Sequence, residues 1–335
     1  LTDTVIEYRS EGIDTVVVSS DYITDNYVLE FNFVENVDVS NNSGLLNITG
    51  NNLDNEIIGN DLNNVIHGGL GSDTMYGGLG DDIYHLDSQD DYVVEMLNSG
   101  TDKIIVNNGY QGDAFLANYN GVENIDISRN ESIIDLTANS LDNEIIGNDL
   151  DNLISGGAGN DILIGGGGVD RMLGGNGDDI YYYQDKGDLV LEFSYGGNDT
   201  ILWFDDESTS FIFGQSVKFV ENVNIYNSDS MREVYGDGLD NNIIGNVLDN
   251  MFTGGGGNDH IISLDGADVV YGNSGDDYIA SGSGDDIAYG GEGEDFISSG
   301  GGDDRVYGGD GNDIVVGNHG DDKLDGGEGS DRLWG

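Results

Sequence analysis

The protein has 335 residues, of which 65 are acidic and 10 are basic, giving a formal net charge of −55. A chain this acidic repels itself unless cations neutralise it, and it lacks the basic surface that nucleic acid or anionic lipid would need. The absence of cysteine excludes disulfides and thiolate metal sites, and no apolar run approaches the roughly 18 residues of a membrane span.

A long repeat runs through the chain. Residues 34–38 (Val-Glu-Asn-Val-Asp) recur at 122–126 and 220–224, and residues 53–60 recur at 141–148 and 239–246. The stretches around Glu7, Glu95 and Glu192 match as well, each followed by a Gly-x-Asp turn. The repeat predicts three solenoid units, at 1–88, 89–185 and 186–335, in which each coil stacks on its neighbours.

Each copy begins with short alternating segments, continues through Asn-rich nonapeptides and ends in Gly-Gly-x-Gly-x-Asp turns. Copies one and two hold short acidic blocks at 68–85 and 156–182, and copy three holds a long one at 236–335. Helical spacing is almost absent, whereas Val, Ile, Tyr and Thr alternate with polar residues. We therefore predict an all-β fold, a right-handed parallel β-roll or β-solenoid.

The long block repeats with a strict period of nine residues. If the first glycine is position 1, position 8 is apolar throughout, as at Ile261, Val270 and Ile279. Position 6 is always aspartate: Asp259, Asp268, Asp277, Asp286, Asp295, Asp304, Asp313, Asp322 and Asp331. Because positions 6 and 8 are two apart in an extended segment, both side chains should point inward.

Two nonapeptides should make one coil, so that turns align at every second repeat. One rim would then carry Asp259, Asp277, Asp295, Asp313 and Asp331, and the other Asp268, Asp286, Asp304 and Asp322. Carboxylates stacked about 5 Å apart repel each other, and a Ca²⁺ ion between each pair would reverse that effect. We predict up to seven such sites in this block.

Calcium takes six to eight oxygen ligands, so backbone carbonyls must complete each site. Glycines permit the positive φ values that turn successive carbonyls toward one point. The glycines predicted to contribute are Gly255, Gly257, Gly291, Gly293, Gly309, Gly311, Gly327 and Gly329.

The shorter blocks offer fewer aspartates. Asp161 and Asp179 should form a site, whereas Asp170 should face Asn152. Asp73 and Asp82 should face Asn55 and Asn64, which predicts weak or empty sites. Units of the type x-Asn-x-Leu-Asp-Asn replace the aspartate by asparagine, and we expect metal-free coils held by asparagine hydrogen bonds and leucine packing.

At these residues the chain resembles the repeats-in-toxin (RTX) family, the haemolysin-type calcium-binding repeats of secreted bacterial proteins. The resemblance implies type I secretion, folding on calcium outside the cell, and attachment to a toxin, protease, lipase, epimerase or adhesin. Because the sequence starts at Leu1 without methionine and lacks the family's C-terminal secretion signal, we expect it to be a segment of a longer protein.

No catalytic pattern is visible. None of the four histidines lies in His-Glu-x-x-His, and no Gly-x-Ser-x-Gly is present. His260 and His319 are expected to be exposed. Tyr271, Tyr289 and Tyr307 share position 9 on every second repeat, which predicts an outward ladder. The ladder could shield the strands, or dock against a neighbouring domain, another roll or a polysaccharide.

We interpret the chain as a non-enzymatic, calcium-dependent stalk or scaffold of a large secreted or surface-attached bacterial protein, such as an adhesin. The alternative is the accessory domain of a secreted enzyme or toxin. An ice-binding solenoid would need a regular ladder of threonine or small residues, and position 9 shows none.

Overall fold

Short parallel strands form all of the regular secondary structure in the part of the chain that the computed structural model describes. That part comprises residues 12–18, 26–28, 33–44, 46–110, 114–115, 119–205, 208–212, 217 and 219–335. The predicted match around Glu7 lies outside it. The chain divides into two units, Leu1–Asp170 and Arg171–Gly335. Each is a parallel β-solenoid, which confirms the predicted fold class.

In the first unit, odd- and even-numbered strands form separate sheets, so the chain passes from one side to the other with each strand. One odd sheet contains β1 (Thr15–Val17), β3 (Asn36–Asp38), β5 (Glu56–Ile58), β7 (Thr74–Tyr76) and β9 (Tyr92–Val94). The other contains β11 (Ala114–Phe115), β13 (Asp135–Thr137) and β15 (Leu153–Ala158). The even sheet contains β2 (Asn26–Val28), β4 (Asn47–Thr49), β6 (Val65–His67), β8 (Ile83–Leu86), β10 (Lys103–Val106), β12 (Asn124–Asp126), β14 (Glu144–Ile146) and β16 (Ile162–Ile164).

The second unit repeats this arrangement. Its odd strands are the pair β17 (Arg171–Asn176) and β19 (Leu189–Leu191), followed by a sheet of β21 (Ser210–Ile212), β23 (Glu233–Tyr235), β25 (Met251–Gly256), β27 (Val269–Ser274), β29 (Ile287–Glu292), β31 (Arg305–Asp310) and β33 (Lys323–Glu328). The even strands are β18 (Ile180–Tyr183), β20 (Thr200–Trp203), β22 (Asn222–Asn224), β24 (Asn242–Ile244), β26 (His260–Ile262), β28 (Tyr278–Ala280), β30 (Phe296–Gly301), β32 (Ile314–His319) and β34 (Arg332–Trp334).

The core is one side chain thick on each side, because a three-residue strand turns only its middle residue inward. Ile261, Val270 and Ile279, all at position 8 of the nonapeptide, are fully buried. At the C-terminal end, by contrast, Leu333 is 43% exposed. The position 8 residues therefore behave as the parity of positions 6 and 8 predicts.

Coil length differs between the nonapeptide blocks and the segments that link them. In the long block, paired positions such as Asp277 and Asp295 are 18 residues apart, as two nonapeptides per coil require. The linking segments make longer coils, with a separation of 21 residues between Asp102 and Glu123 and of 22 between Asp199 and Glu221. The boundaries of the three predicted units at 88 and 185 stay predictions.

Candidate metal-binding turns

The position 6 aspartates of the long block stack along two rims. On one rim, the backbone N–H of each aspartate donates to Oδ1 of the next, from Asp259 to Asp277 at 2.8 Å and from Asp277 to Asp295 at 2.9 Å. Asp295, Asp313 and Asp331 continue this row. The other rim runs through Asp268, Asp286, Asp304 and Asp322 in the same way. The two rows contain the residues that the sequence assigns to them.

Only one oxygen of each carboxylate is used by these hydrogen bonds. The second oxygen, Oδ2, is buried without a hydrogen-bond partner in eight of the nine rim residues: Asp259, Asp268, Asp277, Asp286, Asp295, Asp304, Asp313 and Asp322. The two ion pairs among the described residues are both made by Lys103, to Asp126 and Glu144, so neither neutralises the rims. A buried, unpaired carboxylate is costly, so these oxygens need a cation or a proton.

Burial changes the acidity of the rim. It raises the pKa of Asp259, Asp286 and Asp295 to about 7, with a smaller contribution from the neighbouring aspartates. The pKa of Asp277 rises to about 6 for the same first reason. Each backbone N–H that donates to Oδ1 acts in the opposite direction. Burial thus disfavours the charged carboxylates unless a positive charge lies beside them, and a bound metal ion would supply that charge.

In most turns of the long block, glycine occupies two positions with a left-handed backbone. All eight glycines predicted to contribute have φ between 91° and 149°. A Cβ built on Gly293 would lie 2.1 Å from the carbonyl oxygen of Gly275, and one on Gly311 would lie 1.8 Å from that of Gly293. Successive turns therefore stack backbone on backbone, with carbonyl oxygens close to the rim aspartates.

The unit at 263–271 lacks the first two glycines but keeps the turn. Leu264 takes a left-handed φ of 78° at position 2, and Asn273 and Asn318 do the same in other repeats. Ser263 at position 1 is buried and donates its hydroxyl to the carbonyl oxygen of Ser281. Its hydroxyl also moderates the rise in the pKa of Asp268, which burial raises to about 6.

The shorter blocks are richer in carboxylates than the sequence indicated. The backbone N–H groups of Asn55 and Asn64 donate to Asp73 and Asp82, as predicted. However, the backbone N–H groups of Asp73 and Asp82 donate onward to Asp91 and Asp102. The prediction that these two aspartates face asparagine was therefore incomplete, because the coil that follows each of them also brings in a carboxylate.

In the second short block, Asp170 meets the backbone N–H of Asn152 at 2.7 Å, as predicted. In the first unit, Asp161 Oδ1 accepts the backbone N–H of Asn143. In the second unit, the backbone N–H of Asp179 donates to Asp199 Oδ1. A site shared by Asp161 and Asp179 stays a prediction.

Asparagine replaces aspartate on the rim of the other coils. Asn64 accepts the N–H of Asn60 at 2.9 Å, and Asn152 accepts that of Asn148 at 2.9 Å. The expected asparagine hydrogen bonds are therefore present. The expected leucine packing is not general, since Leu239 is 42% exposed. The leucines at the same position of the other asparagine units are half-buried: Leu53, Leu62, Leu141, Leu150 and Leu248.

Two acidic clusters were missed by sequence reasoning. Asp82, Glu95 and Asp102 place one carboxylate oxygen each within 4.8 Å of one another, and Asp179, Glu192 and Asp199 do the same. The sequence signal was the matching segments around Glu95 and Glu192 with their Gly-x-Asp turns. The sequence alone could not place these segments on the rim, because the coil from Asp82 to Asp102, like that from Asp179 to Asp199, has 20 residues rather than the 18 of two nonapeptides.

The glutamates of the Val-Glu-Asn segments also lie on the rim. Glu123 accepts the backbone N–H of Asp102, and Glu221 accepts that of Asp199. In the first copy, Glu35 accepts the N–H of Asp14. The linking segments therefore continue the rim with a longer side chain.

The sequence profile of the RTX calcium-binding nonapeptide repeat, in sets of four copies, matches residues 49–93, 146–181 and, in overlapping matches, 235–333. These matches cover more than half of the chain. The chain belongs to this RTX family. Its nonapeptides are therefore calcium-binding repeats, and the buried rim oxygens are the feature of this structure that fits the ion. Comparison with curated proteins gave no significant match.

The outward aromatic ladder of this RTX protein is present. The rings of Tyr271 and Tyr289 stack at 4.9 Å, and those of Tyr289 and Tyr307 at the same distance. On the other face, Tyr278 stacks between His260 and Phe296. His260 and His319 are exposed.

Among the described residues, no helix is long and apolar enough to cross a membrane.

Proposed function

We propose that this RTX segment is a calcium-dependent structural stalk or scaffold of a large secreted or surface-attached bacterial protein, such as an adhesin. It would fold when it meets calcium outside the cell after type I export, and carry no catalytic activity of its own. The observation that supports this most directly is the pair of rims with buried, unpaired aspartate oxygens.

The rims explain why calcium and folding would be linked. The apolar core is thin, and stacked carboxylates about 5 Å apart repel each other by roughly 1 kcal/mol even in water. Calcium prefers oxygen ligands in a flexible arrangement, which carboxylates and turn carbonyls supply. We expect Asp277 and Asp295 to hold one ion between stacked turns, and each neighbouring pair along both rims to do the same.

The second candidate is an accessory domain of a secreted protease, lipase, epimerase or toxin. The calcium-binding repeats are compatible with both functions, because they would support export and stability in a stalk and in an accessory domain alike. The repeated linking segments favour the stalk, because they lengthen the array by further coils that contain few nonapeptides. The residues that flank this segment in the full protein distinguish the two.

The tyrosine ladder is the surface that we propose for contact with other molecules. Tyr271, Tyr289 and Tyr307 present three stacked rings, and Tyr307 is 38% exposed. Stacked, partly exposed rings suit a neighbouring domain or a cell-surface polysaccharide, since they combine a broad apolar face with hydroxyl groups.

Calcium titration followed by circular dichroism tests the proposed function. We expect unordered chain in metal-free buffer at pH 8 and conversion to β-structure at sub-millimolar to millimolar calcium, the range of extracellular modules. Magnesium should have little effect, because it demands a tighter octahedral shell. A β-spectrum that is the same with and without calcium would overturn the proposal.

A further inference from the structure

The clusters Asp82–Glu95–Asp102 and Asp179–Glu192–Asp199 differ from the nonapeptide rims. Each cluster joins the final aspartate of a short block to two carboxylates from the longer segment that follows that block. One of these two carboxylates is a glutamate, whereas position 6 of the long block is always aspartate. The spacing of the three residues is the same in both clusters. Five of the six side chains are buried, the exception being the half-buried Glu95.

A buried tyrosine holds each glutamate in place. Tyr84 and Tyr181 occupy position 8 of the last nonapeptide, where the long block has smaller apolar residues, and both are fully buried. The hydroxyl of Tyr84 donates to Glu95 Oε1, and that of Tyr181 donates to Glu192 Oε1. In the second cluster, the backbone N–H of Gly174 donates to the Tyr181 hydroxyl at 2.7 Å.

Each cluster contains a buried aspartate with an unpartnered oxygen. Asp82 and Asp199 are completely buried, and Oδ2 of each has no hydrogen-bond partner. In the first cluster, Asp82 Oδ2 and the Tyr84 hydroxyl are the two atoms nearest to a Cβ built on Gly77, at 2.0 and 2.1 Å. Because Tyr84 contacts Glu95, Asp82 Oδ2 lies on the side where the carboxylates meet.

Further carboxylate oxygens of the clusters accept hydrogen bonds from backbone and hydroxyl groups. Asp102 Oδ1 accepts the N–H of Asp82, and Asp199 Oδ1 accepts that of Asp179. Ser99 donates its hydroxyl to Glu95 at 2.7 Å in the first cluster. Three carboxylates are thus fixed around one point with no basic side chain in an ion pair to them among the described residues.

We propose that each cluster is a divalent-cation site, selective for calcium, that closes a nonapeptide block onto its linking segment. The ligand oxygens lie within 4.8 Å of one another. Calcium accepts several carboxylates in a flexible shell of six to eight oxygens, whereas magnesium usually keeps several waters and binds only one or two carboxylates. A site built from three carboxylates therefore suits calcium better than magnesium.

The proposal goes beyond the calcium-binding nonapeptides, because two of the three ligands in each site come from outside them. It assigns Glu95 and Glu192 a role that neither the repeat pattern nor the RTX profile gives them. The short blocks, which hold few aspartates, would gain a metal ion at the point where the regular repeat stops.

Counting bound calcium in variants of the full chain tests the proposal. Equilibrium dialysis followed by elemental analysis would compare wild type with Glu95→Gln, Glu192→Gln and the double variant. We expect the single variants to lose one ion per chain and the double variant to lose two, with the β-spectrum in calcium retained. The matched control, Glu131→Gln, changes an exposed glutamate of the first unit and should lose none.

An unchanged ion count in the folded double variant would overturn the proposal and leave the proposed function intact. If the variants fail to fold, anomalous diffraction from wild-type crystals grown with terbium, a luminescent calcium substitute, answers the same question. Peaks at both clusters support the proposal, and peaks along the rims without any at the clusters contradict it. Peaks at the clusters with none along the rims would instead contradict the calcium-bound rims of the proposed function.

Discussion

The backbone N–H of Asp277 donates to Oδ1 of Asp295, at 2.9 Å and 18 residues further along the chain. This single contact joins two successive turns, fixes the carboxylate of Asp295 and leaves its other oxygen buried and unpaired. The same relationship repeats along both rims. It explains how one residue type in each repeat can both align the coils and prepare a place for a cation.

Replacing Asp295 should weaken two neighbouring calcium sites, since this residue lies between Asp277 and Asp313. Asp295→Ala removes a charged acceptor of a buried N–H, so we expect a loss of roughly 1–3 kcal/mol in unfolding free energy in calcium. Calcium titration and chemical denaturation measure both effects. Glu292→Gln, an exposed change in the same turn, is the control and should match wild type.

Replacing Asp73 should have a smaller effect than replacing Asp295. Its neighbours are Asn55 and Asp91, and both oxygens of Asp91 already accept backbone N–H groups, from Asp73, Asp87 and Ser88. We expect the Asp73→Ala chain to bind at least as many ions as Asp295→Ala in equilibrium dialysis. A larger ion loss from Asp73→Ala would show that the short block binds calcium more tightly than its rim predicts.

Substituting a turn glycine should destabilise the stack through the backbone. Gly311→Ala would place a Cβ at φ 149° and 1.8 Å from the carbonyl oxygen of Gly293. A strained residue of this kind costs roughly 1–3 kcal/mol. Gly301→Ala is the matched control, because a Cβ there meets nothing within 4 Å. Equal midpoints of thermal unfolding in calcium for the two variants would argue against close stacking of the turns.

Without metal, acid should favour folding. Burial raises the pKa of Asp259, Asp286 and Asp295 to about 7 from an ordinary value of 3.8. The folded state therefore binds protons more tightly than the unfolded state. Stability from these groups is present below pH 3.8 and lost as the pH rises through about 7.

Circular dichroism in metal-depleted buffer should accordingly show more β-structure at pH 5 than at pH 8. In saturating calcium the difference should disappear or reverse, because protons compete with the ion for the same oxygens. A metal-free spectrum that does not change between these pH values would contradict the protonation of the rims.

The tyrosine ladder gives a prediction about association. Replacing Tyr271, Tyr289 and Tyr307 by serine should reduce self-association or glycan binding, since it removes three stacked outward rings. Analytical ultracentrifugation and a glycan array measure the two readouts. Replacing Tyr278 and Phe296 on the other face is the control. If the triple serine variant matches wild type in both assays, the ladder only covers the strands.

The sequence was sufficient to predict the rims because the nine-residue period fixes which residues stack. Once Asp259 and Asp277 are one coil apart, the whole row follows. The period also predicted the left-handed glycines, but not that Leu264 and Asn273 would adopt the same conformation at position 2. There the stacked turns on either side impose the backbone, and local preference yields to them.

The two acidic clusters could not be predicted in the same way. Glu95 and Asp102 lie in a longer coil without a fixed period, so sequence spacing does not reveal that they meet Asp82. The exposure of Leu239 escaped prediction for a related reason, since residue type alone does not fix whether an apolar residue in a turn faces the core or the solvent. In both cases coil geometry, rather than residue type, decides the contact.

Small-angle X-ray scattering in calcium and after exhaustive chelation at pH 8 tests most directly whether cations on the rims hold the solenoid together. The account predicts a folded particle in calcium and a large increase in the radius of gyration, with loss of the folded profile, when the metal is removed. The same radius and the same profile in both conditions would contradict it.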